Sequence, residues 1–83
     1  MMQITLYSKP GCHLCTDVKA DLLALQREFD FTLAERNIED DPADFARFRY
    51  LIPVLDIAGR ELLYPPHTWH TLRQALETAN HAS

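Results

Sequence analysis

The stretch that decides the fold is Tyr7-Ser8-Lys9-Pro10-Gly11-Cys12-His13-Leu14-Cys15, which contains both cysteines of the chain. Two thiols at this spacing can close a disulfide. The apolar run before them, residues 3–7, is rich in β-branched and aromatic side chains and predicts a strand. Pro10 and Gly11 predict a turn at the end of that strand. The cysteines therefore begin where the strand has ended.

The apolar residues after the cysteines predict a helix. They recur at spacings of four, three and four, which places them on one helical face: Val18, Leu22, Leu25 and Phe29. The helix begins near Cys12 or His13, so Cys12 lies at its N-terminus. Unpaired backbone N–H groups and the positive end of the helix dipole favour a thiolate there. We predict that Cys12 is the attacking thiol and that Cys15, one turn further along, is the resolving thiol.

Length and charge limit the classes of function. The chain has 83 residues, and its 8 Lys and Arg against 12 Asp and Glu give a formal net charge of −4. This length predicts one domain, and the charge argues against nucleic acid or an anionic membrane as partner. No apolar run approaches the roughly 18 residues of a membrane span, and no secretory signal is visible. We expect a monomer in the cytoplasm. In that compartment a cysteine pair is more often catalytic or metal-binding than structural.

The middle of the chain predicts a second strand and a short helix. The strand is expected over residues 31–38. Asp41 and Pro42 have the residue types of an N-cap and a first helical position. The buried side of this helix is predicted to be Phe45, Phe48 and either Leu51 or Ile52.

The last part of the chain predicts a hairpin and a helix. Residues 53–57 and 60–64 are expected to form two strands joined by a tight turn. A final helix enters through Thr68 or Thr71, where Thr71 and Gln74 have capping-box spacing. We expect residues 81–83 to fray. The apolar side of this helix is Leu72, Ala75, Leu76 and Ala79. The predicted order is βαβαββα, an α/β fold.

The cysteine stretch, together with Ile52-Pro53-Val54 about forty residues later, resembles the glutaredoxin-like proteins of the thioredoxin superfamily. The positions that match the glutaredoxin pattern are Lys9, Pro10, Cys12, Cys15 and Pro53. The resemblance implies a single domain over residues 1–83, with a four-stranded mixed sheet flanked by three helices. It also implies a cis peptide bond before Pro53 and a position for Pro53 beside the two sulfurs.

The same resemblance implies an activity, a substrate site and no resident cofactor. It suggests a thiol–disulfide oxidoreductase that forms a mixed disulfide through Cys12 and resolves it with Cys15. The backbone of Ile52, Pro53 and Val54 would pair with the substrate in the manner of a strand.

Two departures from the glutaredoxin pattern concern glutathione. His13 and Leu14 stand where glutaredoxins have Pro and Tyr, and residues 64–70 lack the Gly-Gly and acidic residues that hold the γ-glutamyl end. We therefore expect glutathione, as a co-substrate, to bind weakly or not at all. A disulfide-containing protein or another small thiol is the expected partner. Thioredoxins have a buried Asp in the strand before the cysteines, and residues 4–7 contain no carboxylate.

Lys9 and His13 are the candidate supporting residues. A Lys ammonium or an imidazolium near Cys12 stabilises its thiolate, and an imidazolium would also make the disulfide more oxidising. The alternative for each is an ordinary solvated surface residue.

Two other classes of function remain open. Cys12 and Cys15 could supply two thiolates to a zinc ion, with His67 and His70 as further ligands, although this spacing fits no compact zinc finger. They could also hold an iron–sulfur cluster shared between two chains. The remaining class is a redox-silent interaction domain. Trp69 either belongs to a binding surface or covers the start of the last helix.

Overall fold

The computed structural model describes residues 2–82 as a four-stranded sheet with helices on both faces. The elements in chain order are β1 (Met2–Ser8), α1 (His13–Leu25), β2 (Phe31–Asn37), a 3-10 turn (Ile38–Asp40), α2 (Pro42–Phe48), β3 (Val54–Ile57), β4 (Glu61–Leu63) and α3 (Trp69–Ala82). The predicted βαβαββα order and the α/β fold are confirmed. No helix in this part of the chain is long and apolar enough to cross a membrane.

The strand order brings two loops to the same end of the sheet. β1 is parallel to β2 and antiparallel to β3, and the order across the sheet is β2-β1-β3-β4. Tyr7, near the end of β1, is opposite Val54, the first residue of β3. The turn that follows β1 and the proline that precedes β3, Pro53, therefore lie at one end of the sheet.

α1 and α3 pack on one face of the sheet. The buried apolar residues of this face are Ile4, Leu6, Val18, Leu22, Leu25, Phe31, Leu55, Ile57, Leu72 and Leu76. The predicted apolar side of α1 is confirmed except at Phe29, which follows the end of the helix and is only half-buried. Arg73 of α3 pairs with Glu28 at 3.0 Å, and this hydrogen bond and charge raise the pKa of Arg73.

α2 covers the opposite face and corrects one prediction. Phe48 is buried with its ring centroid 4.6 Å from that of Tyr7. Phe45 is 37% exposed, so its predicted burial is wrong. Of the alternatives Leu51 and Ile52, Leu51 is 43% exposed, whereas Ile52 is half-buried and packs against the cluster that contains Phe48. The inward residue one turn before Phe48 is Asp44, which pairs with Arg36 at 3.0 Å. Phe45, the next residue, lies about 100° further round the helix and faces solvent, and Leu51 lies beyond the end of the helix.

Several predicted boundaries move by one residue or more. Ile38 is buried in the 3-10 turn rather than in β2, and the strands of the hairpin are shorter than expected. The capping pair of α3 is Thr68 and Thr71, whose N–H groups each donate to the hydroxyl of the other at 2.9 and 3.1 Å. The predicted box of Thr71 with Gln74 is therefore wrong by one turn. α3 continues to Ala82, and Ser83 lies outside the described residues, so the fraying expected for residues 81–83 stays a prediction.

Candidate active site

Cys12 is the N-cap of α1. Gly11, with a φ of +79°, reverses the chain after β1, and Cys12 itself is extended, with φ −89° and ψ 106°. The Cys15 N–H donates to Cys12 Sγ at 3.2 Å. The sulfur thus occupies the position of an N-cap oxygen and faces the unpaired N–H groups of the first turn. This is the placement predicted from the spacing of the apolar residues.

Cys12 and Cys15 form a disulfide, with Cα atoms 5.3 Å apart. Cys15 is only 3% exposed, whereas Cys12 is half-buried. A substrate that approaches the helix N-terminus therefore reaches Cys12 before Cys15. The predicted difference between an outer and an inner sulfur agrees with these exposures.

Pro53 is buried at the same end of the sheet, and the Ile52–Pro53 peptide bond is cis. The His67 ring nitrogen Nε2 lies 2.8 Å from the Pro53 carbonyl oxygen. A carbonyl only accepts, so Nε2 carries a proton and donates. From the sequence, His67 was expected to cover the start of the last helix or, in the metal-binding alternative, to be a zinc ligand, and its contact with Pro53 was missed. The two residues are 14 positions apart, and no local pattern joins them.

A groove of about 410 Å³ runs along α1 beside this proline. One wall consists of Leu14, Asp17, Val18 and Asp21, and the other consists of Pro53, Pro65, Pro66 and His67. We call it the α1 groove. Leu14, which stands between the two cysteines in the sequence, is at the N-terminal end of the α1 wall, and neither Cys12 nor Cys15 lines the groove. A larger depression of about 720 Å³ is lined by residues such as Gln3, Asp56 and Arg60, and neither Pro53 nor any residue of α1 lines it.

The two predicted supporting residues lie at the start of α1. His13 is the first residue of the helix and is exposed, and Lys9 is an exposed residue of the preceding turn. The Lys9 carbonyl accepts the Cys12 N–H at 3.4 Å. Within residues 2–82 neither side chain makes an ion pair, and both are exposed at the start of α1. Their effect on the thiolate stays a prediction.

Ser8, Glu35 and Lys19 form a polar network at the end of β1. Ser8, the last residue of β1, is buried, and its hydroxyl donates to Glu35 Oε2 at 3.1 Å. Lys19 Nζ of α1 pairs with Glu35 Oε1 at 3.0 Å. β1 has no carboxylate, as the sequence showed, but β2 brings one to its end. No sequence signal marked Glu35, which stands beside a second charged residue, Arg36, in the predicted strand.

The metal-binding alternative finds no complete ligand set. Among residues 2–82, no three His, Cys, Asp or Glu side chains come close enough together to hold a metal ion. Cys12, Cys15, His67 and His70 do not converge, and the ring of His67 is hydrogen-bonded to Pro53. A metal at the two sulfurs would require ligands from outside the described chain.

Comparison with known proteins gives consistent matches. A family model described as a glutaredoxin-like domain (DUF836) matches residues 3–77. The structural-genomics target protein XcR50 from X. campestris is 31% identical, with a TM-score of 0.75, over 90% of this chain and 96% of that one. Protein Ne2328 from Nitrosomonas europaea is 25% identical, with a TM-score of 0.76, over 90% and 91%. No curated protein matches.

The fold is also that of thioredoxins. A mutant thioredoxin from Halobacterium salinarum NRC-1 superposes with a TM-score of 0.76, over 94% of this chain and 74% of that one. Its sequence identity is 16%, so this likeness concerns the fold alone.

Proposed function

The chain belongs to the glutaredoxin-like (DUF836) family, and on this premise we propose that it is a thiol–disulfide oxidoreductase. The observation that carries the proposal is the Cys12–Cys15 disulfide, with Cys12 as the N-cap of a helix. Cysteines in this position are acidic and nucleophilic. The sequence-based expectation of a redox role agrees with the family and the fold.

In the first step, the reduced protein attacks a substrate disulfide. The Cys12 thiolate forms a new S–S bond with one substrate sulfur, and the substrate S–S bond breaks. The other substrate sulfur leaves with the electron pair of the broken bond and takes up a proton. The Cys15 N–H, which donates to Cys12 Sγ at 3.2 Å, stabilises the attacking thiolate.

In the second step, Cys15 resolves the mixed disulfide. Its thiolate attacks Cys12 Sγ, the Cys12–Cys15 bond forms, and the second substrate thiolate is released. The substrate has gained two electrons and the protein has lost two. A Cα separation of 5.3 Å suits this bond without backbone movement. An external dithiol, or two monothiols, returns the protein to its reduced form.

The segment Ile52-Pro53-Val54 is the proposed site for the substrate backbone. The Ile52 N–H donates to Phe48 O at 3.1 Å, and the Pro53 carbonyl is occupied by His67. Within residues 2–82 the Ile52 carbonyl has no hydrogen-bond donor. We propose that a substrate N–H donates to this oxygen, which gives one strand-like contact beside Cys12.

The proposed partner is a disulfide-containing protein or a small thiol, with glutathione at most a poor co-substrate. We propose that the protein acts as a monomer in the cytoplasm, without nucleic acid or a membrane as partner. A net charge of −4 supports the exclusion of polyanions. The cytoplasm supplies the thiol reductants that the cycle requires.

A thiol count tests the proposal. The reduced protein is mixed with excess bis(2-hydroxyethyl) disulfide, and the 2-mercaptoethanol molecules released from the disulfide are counted. We expect two per chain for the native protein and none from Cys12→Ser. A native protein that releases no thiol overturns the proposal in favour of a redox-silent domain. Metal analysis of the same sample, as purified, tests the zinc and iron–sulfur alternatives.

A further inference from the structure

The α1 groove combines an apolar floor with two carboxylates. Asp17 and Asp21 are one helical turn apart and line the same wall. Within residues 2–82, neither carboxylate makes a hydrogen bond or an ion pair. Like charges at this spacing destabilise a helix. The helix dipole offsets negative charges only in the first turn, and both residues lie beyond it. A cation bound in the groove would relieve this repulsion.

The rest of the lining supplies little positive charge. No Lys or Arg lines the groove, and the Nε2 atom of its one histidine, His67, donates to Pro53. Pro65 and Pro66 on the opposite wall have no backbone N–H that could donate to a ligand. Leu14 is 63% exposed at the end nearest the cysteines. The groove therefore suits an apolar side chain close to the sulfurs and a cationic side chain further along.

The distances along α1 give the register of such a ligand. Asp17 and Asp21 follow Cys12 by five and nine residues, which is roughly 7.5 and 13.5 Å at 1.5 Å per helical residue. An extended peptide advances about 3.3 Å per residue. The two carboxylates therefore face positions about two and four residues away from a cysteine held at Cys12.

We infer that the α1 groove selects protein disulfides whose cysteine has an apolar neighbour and a Lys or Arg two to four residues away. This inference rests on the proposed oxidoreductase function and names its substrate class. Glutathione is the opposite case, since it carries two carboxylates and one ammonium group. Asp17 and Asp21 are then specificity residues that attract cationic segments and repel glutathione.

The test compares three disulfide substrates of the reduced protein. Two peptides have a central Cys joined through a disulfide to neutral 2-mercaptoethanol, with Leu next to the Cys. One has Lys two and four residues from the Cys on both sides, and the other has Glu at those positions. The third substrate is the neutral bis(2-hydroxyethyl) disulfide. Each substrate gains two electrons and leaves as two thiols, while the Cys12–Cys15 disulfide closes. Each rate is divided by the rate at which dithiothreitol reduces the same substrate. This ratio removes differences in the intrinsic reactivity of the disulfides.

The native protein is expected to favour the Lys peptide over the Glu peptide by about 10-fold or more at low salt, since two exposed charge pairs each contribute modestly. The double variant Asp17→Asn, Asp21→Asn is expected to lose most of this preference, measured as the ratio of its rates on the two peptides. The control variant Asp30→Asn, Asp40→Asn removes the same charge from exposed positions outside the groove and is expected to keep the preference.

Two results overturn the inference while the proposed function stands. In one, the native protein reduces all three substrates but does not distinguish the two peptides. In the other, the preference survives in the Asp17→Asn, Asp21→Asn variant. A protein that reduces none of the three substrates overturns the proposed function, and the inference fails with it.

Discussion

The ring of His67 holds the carbonyl of Pro53 through a hydrogen bond of 2.8 Å. The loop before α3 is thereby tied to the segment that precedes β3, beside the start of the α1 groove. A buried carbonyl without a donor costs about 1 to 3 kcal/mol. This single contact therefore orders one wall of the candidate active site.

Replacement of His67 tests that contact. We expect His67→Ala to lower the free energy of unfolding by about 1 to 3 kcal/mol, because the Pro53 carbonyl loses its donor. Urea denaturation measures the change, and His70→Ala, at an exposed position of α3, is the matched control. Equal and small effects of both variants would contradict a structural role for the His67 contact.

The two sulfurs are predicted to have different roles. We expect Cys12→Ser to abolish disulfide reduction and Cys15→Ser to accumulate a mixed disulfide through Cys12, because only Cys12 is at the accessible end of α1. Intact-mass measurement after reaction with a small disulfide detects the adduct.

A second measurement separates the reactivity of the two thiols. Alkylation by iodoacetamide at about pH 6 should be faster for Cys12, in the Cys15→Ser variant, than for Cys15, in the Cys12→Ser variant, because the helix N-terminus favours the Cys12 thiolate. The opposite order would reverse the assignment of attacking and resolving thiol.

Glu35 is predicted to stabilise the end of β1. Its carboxylate accepts from the buried Ser8 hydroxyl and pairs with Lys19. We expect Glu35→Gln to cost about 1 to 2 kcal/mol, since hydrogen bonds to charged groups exceed neutral ones. Lys19→Gln should cost less than about 1 kcal/mol, because that ion pair is exposed. Glu39→Gln, at an exposed position of the 3-10 turn, is the control, and an equal cost there would contradict the role of Glu35.

The sequence predicted the helices that local patterns specify. The stripe Val18, Leu22 and Leu25 identified α1, and Asp41 with Pro42 identified the start of α2, because both signals lie within one or two turns. The burial of Phe45 was mispredicted for the opposite reason. The inward position one turn before Phe48 belongs to Asp44, which pairs with Arg36 of β2, and no local pattern shows this contact.

The candidate site was predictable in its cysteines and not in its groove. Cys12 and Cys15 are close in sequence, and their spacing alone indicated a disulfide. Leu14 and Pro65 line one groove across 51 positions, so the groove exists only after the sheet has brought the two segments to one end. Asp17 and Asp21 gave no sequence signal, because isolated carboxylates on a helix are usually solvated surface residues.

Glutathione is predicted to be a poor substrate for this site. Leu14 lines the groove where glutaredoxins present a tyrosine, and Pro65-Pro66 offers no N–H to the γ-glutamyl end. Lys9 remains exposed and could pair with a carboxylate, but one exposed ion pair contributes about 0 to 1 kcal/mol. Asp17 and Asp21 oppose binding further. We therefore expect slow turnover of bis(2-hydroxyethyl) disulfide with glutathione and glutathione reductase, compared with a Cys-Pro-Tyr-Cys glutaredoxin in the same assay.

If charge is part of the cause, Asp17→Asn, Asp21→Asn should raise the glutathione-dependent rate several-fold, whereas Asp30→Asn, Asp40→Asn should not. Native turnover at ordinary glutaredoxin rates would contradict the prediction and show that the substituted residues do not exclude glutathione.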